Sequence, residues 1–221
     1  EGTKGNKSFA FAIAKTIQKD GIKSLSFFQA PLGEEYEKQG QGAAALSYFL
    51  RAAELSNKFD KELSYCCLLK TWKQVNKIGR RKKWEKSQLE LAISHLPTRP
   101  EAYLFLSEWY SKNNEHHSAY LYACLGLQYV KSEPLKYDVG YPGGYMLYFQ
   151  KAYHAWHISK RDESIQTWKK LGEIPHIPRK YKEIIEHNNI SFGNTINPIQ
   201  NIEFTIETKD ASKHTKYYIN N

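Results

Sequence analysis

The side chains best suited to chemistry are two histidines, a pair of cysteines and a run of cations. His154 and His157 stand three apart, so on a helix they share a face, and Gln150 joins them one turn earlier. That is half of a metal site. No third ligand can be identified at a fitting spacing, so neither metal nor cofactor is expected, and the three read as a polar stripe lining a groove. His116-His117 reads as a turn position opening a helix. Cys66 and Cys67 are neighbours with no evident activating partner, and Cys124 stands apart. All three fall in apolar helical patterns and read as buried, reduced thiols of a cytoplasmic protein. Glu34-Glu35 and Asp162-Glu163 read as helix-start carboxylates, favoured there by the helix dipole, rather than as acid/base pairs. No Gly-x-Ser-x-Gly elbow is present. Gly140-Tyr-Pro-Gly-Gly144 sits between helices and not after a strand, which argues against a phosphate cradle. No catalytic residue is assigned, and whether the chain belongs to an enzyme stays open.

The charge is basic, +9 with histidine neutral, from 32 Lys and Arg against 23 Asp and Glu. Part of the excess is local. Lys70, Lys73, Lys77, Arg80, Arg81, Lys82, Lys83 and Lys86 surround a single acid, Glu85. Such a patch suits phosphates, an acidic protein or an anionic surface; a solvated helix end is the plainer reading. Aromatics crowd the middle of the chain, and with cations they suit single-stranded nucleic acid. These cations cluster once instead of recurring with each repeat, which places RNA behind a protein or peptide as partner.

The elements that must position these groups are helices. Apolar periodicity predicts helices over residues 42–57, 61–78 with Asp60 as N-cap, 84–96, and from Pro100, a residue suited to the first helical position. A break at Asn113-Asn114 leads to an antiparallel partner carrying Ala119, Tyr122, Ala123 and Gly126. After a Pro- and Gly-rich loop, residues 145–159 form a helix that is apolar almost all round and therefore central. A partner with Ile165, Trp168 and Leu171 follows, then a short capping helix near 181–187. Small residues recur as a ladder. Gly40, Ala45, Phe49, Ala52 and Asn57 fit it. Asn114, Ala119, Ala123 and Gly126 fit it again, and Arg80, Leu89, Ala92 and Pro97 fit with a miss at Glu85. Slim residues at that spacing let two helices approach closely.

This ladder resembles tetratricopeptide repeats, and the resemblance implies an all-α solenoid of antiparallel helix pairs. The expected organisation is an N-terminal helical segment at 1–31, the repeat domain at 32–187, and a linker with a C-terminal β-hairpin or extended segment at 188–221. The hairpin rests on the alternation from Ile202 to Thr208 and on Tyr217-Tyr218-Ile219; it is also a route to a homo-oligomer. No apolar run approaches the roughly 20 residues of a membrane helix. The chain opens at Glu1 without a Met, so a fragment, a processed product and a missing start are all open readings.

The stretch from Tyr36 to Leu171 resembles, more narrowly, the tetratricopeptide-like region downstream of the catalytic domain in some family 2 glycosyltransferases. The residues that carry it are Tyr36-x3-Gly40-x4-Ala45 through Ala52, Glu62, Pro97-Thr-Arg-Pro-Glu101-Ala, Leu106-x3-Tyr110, Ala119-Tyr120-x2-Ala123, Leu125-Gly126, Asp138-x2-Tyr141, Ala155 and Lys160-Arg-Asp-Glu-Ser164. The tail from Asn188 to Asn197 is similar to a linker preceding a methyltransferase-like domain. That family holds its metal with Asp-x-Asp, and no two Asp residues here stand two apart. The resemblance therefore implies an accessory region, not an active site. The expected function is a non-catalytic scaffold that positions a protein or peptide partner, or a catalytic domain of the same polypeptide. In the usual register Glu101, Glu108 and Lys112 face the binding surface, with Gln150, His154 and His157.

Overall fold

The computed structural model describes residues 28–79 and 82–191, together with residues 21 and 25. Among the described residues there are nine helices and no strand. They are α1 (28–38), α2 (Gly42–Ser56), α3 (Lys61–Ile78), α4 (Lys82–His95), α5 (Pro100–Lys112), α6 (His116–Leu127), α7 (Tyr145–His157), α8 (Arg161–Gly172) and α9 (Arg179–Ser191). Most of the expected N-terminal helix and all of the C-terminal hairpin lie outside the described residues. The expected capping helix is longer than the periodicity suggested. It opens directly after Pro178, whose carbonyl accepts from the backbone N–H of Tyr181 and Lys182, and buries Ile184 and Ile185.

Three of the helix pairs share one joint. Each first helix ends on a residue with positive φ: Gly40 at 73°, Asn114 at 58° and Ser159 at 66°. The next N–H then reaches back five residues, Gln41 to Tyr36 O at 2.9 Å, Glu115 to Tyr110 O at 3.0 Å and Lys160 to Ala155 O at 2.8 Å. This left-handed ending caps the helix and reverses the chain. Five residues after each joint stand Ala45, Ala119 and Ser164, all buried. Three residues before each Tyr36-type position stand Gly33, Ser107 and Ala152, facing the second helix. A Cβ on Gly33 would meet the Phe49 ring at 2.6 Å. Ser107 Oγ donates to Ala119 O at 2.7 Å, and Ser164 Oγ donates to Ala152 O at 2.6 Å. The same contact is made with donor and acceptor exchanged between helices.

The chain divides into two compact units, Glu1–Leu106 with Lys131–Tyr141, and Ser107–Val130 with Pro142–Asn221. In the first, Ala45, Phe49, Ala52, Leu63, Leu69, Leu89 and Ala92 form the fully buried core. Asp60 caps α3 by accepting from Leu63 N at 2.9 Å, as its sequence position predicts. Glu85, the miss in the ladder, is buried as the ladder position requires. In the second unit Trp168 is fully buried edge-on to Phe149, with ring centroids 5.0 Å apart. Glu163 ties α8 to its neighbours, accepting from Lys151 Nζ at 2.8 Å and from the Tyr120 hydroxyl at 2.8 Å.

Candidate binding surfaces

The histidines of α7 part company. Gln150 and His154 are buried and His157 is exposed. His154 Nε2 lies 3.0 Å from Gln150 Oε1, and His154 Nδ1 lies 2.9 Å from His116 Nδ1 on α6. An amide oxygen only accepts, so His154 donates from Nε2. As a neutral ring it then accepts at Nδ1, and His116 donates from its own Nδ1. Burial holds His154 neutral, pushing its pKa down to about 3, and the neighbouring His116 and His157 push the same way. His116 and His157 are also lowered, each first by burial.

His116 is the residue the sequence did not bring to this site. It stands 38 positions before His154 and reads locally as a turn. Its ring stacks on His157 at 4.3 Å between centroids, and Tyr153 lies 4.6 Å from His157. The stack borders a cleft of about 420 Å³ lined by Asn114, Glu115, His116, His117, Ser118, His157 and Ile158. Three histidines meet here, two of them joined by a hydrogen bond, His154 and His116, and the third, His157, stacked on His116. Among the described residues no group of three His, Cys, Asp or Glu side chains is placed to hold a metal ion.

The other expected surface residues fall out differently. Glu101 is 3% exposed. It takes Arg99 Nη2 at 2.5 Å and Nε at 3.2 Å in a two-pronged pair, and the Tyr65 hydroxyl donates to it at 3.2 Å. A partner could engage it only by breaking that pair, because an unpaired buried carboxylate costs several kcal/mol, roughly 3–5. Glu108 is half-buried and Lys112 is exposed.

The α3 part of the basic run is tied into the scaffold. Lys70, Lys73 and Lys77 share one face of α3. The Lys70 ammonium bonds the Glu34 carboxylate of α1, and Lys77 Nζ lies 2.7 Å from Glu37 Oε1. Burial works against ionised Glu37, but the bonds from Lys77 and Gln74 prevail and hold its carboxyl below the usual range. Glu34 thus lies within α1, past its first turn, bonded across to α3, where the sequence suggested a helix-start carboxylate. Lys73 lies over the Phe105 ring at 5.7 Å. Lys86 pairs with Glu90 at 3.4 Å and Lys83 is exposed. Arg80, Arg81 and the Lys82 side chain lie outside the described residues. Cys66 and Cys67 are buried and Cys124 is half-buried, all three as free thiols; burial raises the pKa of each. A buried thiol with a raised pKa is a packing group, not a nucleophile. No described helix is long and apolar enough to cross a membrane.

Solved structures repeat this architecture. One crystal structure of MamA, a tetratricopeptide-like protein, is similar to this chain with a TM-score of 0.51 at 20% identity, over 73% of this chain and 84% of that one. A second MamA structure gives a TM-score of 0.51 at 20% identity, over 80% of this chain and 91% of that one. No family model matches the chain, and no curated protein does. At that identity the likeness shows the fold alone, and the fold is a tetratricopeptide-like helical repeat.

Proposed function

We propose that the chain is a non-catalytic protein-interaction module whose contact surface includes the stack of His116, Tyr153 and His157. The observation that carries this reading is that stack. It offers adjacent rings, partly exposed, on helices locked by a buried hydrogen-bond chain. Aromatic rings with a polar edge give large contact area at little entropic cost, which is why they dominate interface energetics. The likeness to MamA supports the coarser statement that the frame is of a kind suited to protein partners.

The same surface serves a separate protein or a catalytic domain of the same polypeptide, the latter being what the glycosyltransferase resemblance implies. The three α3 lysines turn toward α1 and the Phe105 ring, so the basic run is a weaker case for RNA than its sequence suggests. A cytoplasmic setting belongs to this proposal, resting on the buried thiols.

The test is affinity capture with the folded chain and with a His116→Ala, Tyr153→Ala, His157→Ala variant. Specific partners retained by the first and lost by the second, with helical circular dichroism unchanged, support the reading. Identical capture by both rejects this surface.

A further inference from the structure

The α6–α7 joint sorts its three histidines by which ring nitrogens are free. His154 has none to spare: Nε2 donates to Gln150 Oε1 at 3.0 Å, and Nδ1 accepts from His116 Nδ1 at 2.9 Å. A proton added at His154 Nδ1 would set two N–H groups against each other. His116 uses Nδ1 in that bond, and its Nε2 makes no hydrogen bond among the described residues. His157 is exposed and makes none there at either nitrogen. The places for a proton are therefore His116 Nε2 and the His157 ring. These two rings lie nearly parallel, 14° apart in plane and 4.3 Å apart at their centroids. One proton on such a stack is favourable, because a cation over a neutral aromatic ring is drawn to its face. Tyr153 extends that face, 4.6 Å from His157. A second proton would put two cations at stacking distance, where they repel. A protonated His116 keeps its Nδ1–H, so the bond to His154 survives and gains from the charge. Burial lowers the proton affinity of both rings, and the other influences on them are histidines alone, His117 on His116 and His116 on His157. Glu108 and Lys112 of α5 are not among them. Glu115, from the turn before α6, lines the same cleft. Lys160, after α7, is turned to the Tyr120 hydroxyl, and Glu163 of α8 is taken by Lys151 and Tyr120.

We propose that the stacked His116 and His157 form a one-proton switch on the contact surface, neutral at neutral pH and singly cationic in mild acid, with the α6–α7 joint unbroken in both forms. The inference concerns the regulation of the interaction surface and rests on that reading. In the neutral form the stack offers aromatic faces and acceptor nitrogens. In the cationic form it offers charged N–H donors. It then favours a partner with a carboxylate at that point and disfavours one with a lysine or arginine. The joint sets the order of events. The stack charges first, because its free nitrogens give up no hydrogen bond. His154 takes a proton only when α6 and α7 part.

The first probe is the proton, read on the full chain by proton–carbon correlation NMR of the histidine ε1 positions from about pH 8 to about pH 4. His116 and His157 should each titrate in two steps separated by about one pH unit or more, the signature of coupled sites. His154 should stay neutral through the first step, with the α6 and α7 amides still protected from exchange. His157→Phe keeps a ring in the stack and removes one proton site, so His116 should then titrate once, near the first step. Independent single-step curves for both rings overturn the inference, and so does loss of α6 and α7 protection at the first step. Acetate at constant ionic strength is the second probe. It should move the His116 and His157 signals at the pH of the first step and leave them unmoved at neutral pH; an equal response at both overturns the carboxylate preference. Single-step titration with capture still lost in the His116, Tyr153 and His157 variant sinks only the switch. Two-step titration with capture unchanged in that variant sinks the interaction reading, and with it the switch as a regulator of binding.

Discussion

The α1–α3 interface of the first unit and the α6–α7 interface of the second bind helices together by opposite electrostatics. The first uses ions: Lys70 with Glu34 and Lys77 with Glu37. The second uses neutral groups in a line, Gln150, His154 and His116. Each ionic pair keeps one partner in contact with water, Lys77 at 61% of its side-chain exposure and Glu34 at 43%, and that water supports the charges. His154 keeps none, and there a neutral ring satisfied at both nitrogens avoids the desolvation cost a charge would carry. One helix-pair frame therefore accepts either kind of polar joint, and burial decides which.

The comparison breaks most visibly in acid. His154 is neutral when folded, with its pKa pushed down to about 3, while an unfolded chain titrates near the usual 6.5. Between those values only the unfolded chain takes up the proton. Stability is therefore complete above about pH 6.5 and falls as pH drops, by roughly 1.4 kcal/mol per unit and about 3 kcal/mol by pH 4. Hydrogen exchange should rise over α6 to α8 in that window. His154→Leu should abolish this part of the slope; an unchanged slope would show that another group carries it.

The next effect tests whether α1 is held by shape or by charge. Gly33→Val puts a branched side chain against the Phe49 ring and should cost about 1–3 kcal/mol by denaturant unfolding. A cost near zero would mean that α1 can shift without loss. Ser107→Ala and Ser164→Ala come next, at about 1 kcal/mol each, because each removes one buried hydrogen bond. Equal costs are the expected result, since the two bonds are one joint with its ends exchanged. The smallest effect is Glu37→Gln, under about 1 kcal/mol and vanishing in 1 M salt, where a partly exposed pair is screened. The acid effect at His154 should persist in that salt.

Some of this was legible in the residues and some was not. The ladder at Gly40, Ala45, Phe49 and Ala52, and again at Asn114, Ala119 and Ala123, places both helix pairs. The α7–α8 pair repeats the same geometry with Ser159, Ser164, Trp168 and Leu171, and the ladder missed it. There a Ser takes the left-handed position that Gly or Asn usually fills, and a hydrogen-bonded Ser takes the place of Ala. The site was harder to read. Gln150, His154 and His157 stood out as a group because they are local, whereas His116 did not because it is distant in sequence. The lysines of α3 read as a surface patch because Glu34 and Glu37, their partners, lie 36 and 40 residues away.

The residues alone determined that the chain forms helices, where most of them start and stop, and which faces are slim enough to pair. Those are short-range properties, set by apolar period, caps and side-chain volume within a few turns. The tertiary structure alone decided which polar groups are buried, which histidine completes the chain on α7, and what the cations on α3 touch. Each depends on desolvation and on a partner brought in from far along the chain, and neither leaves a local signature in the sequence.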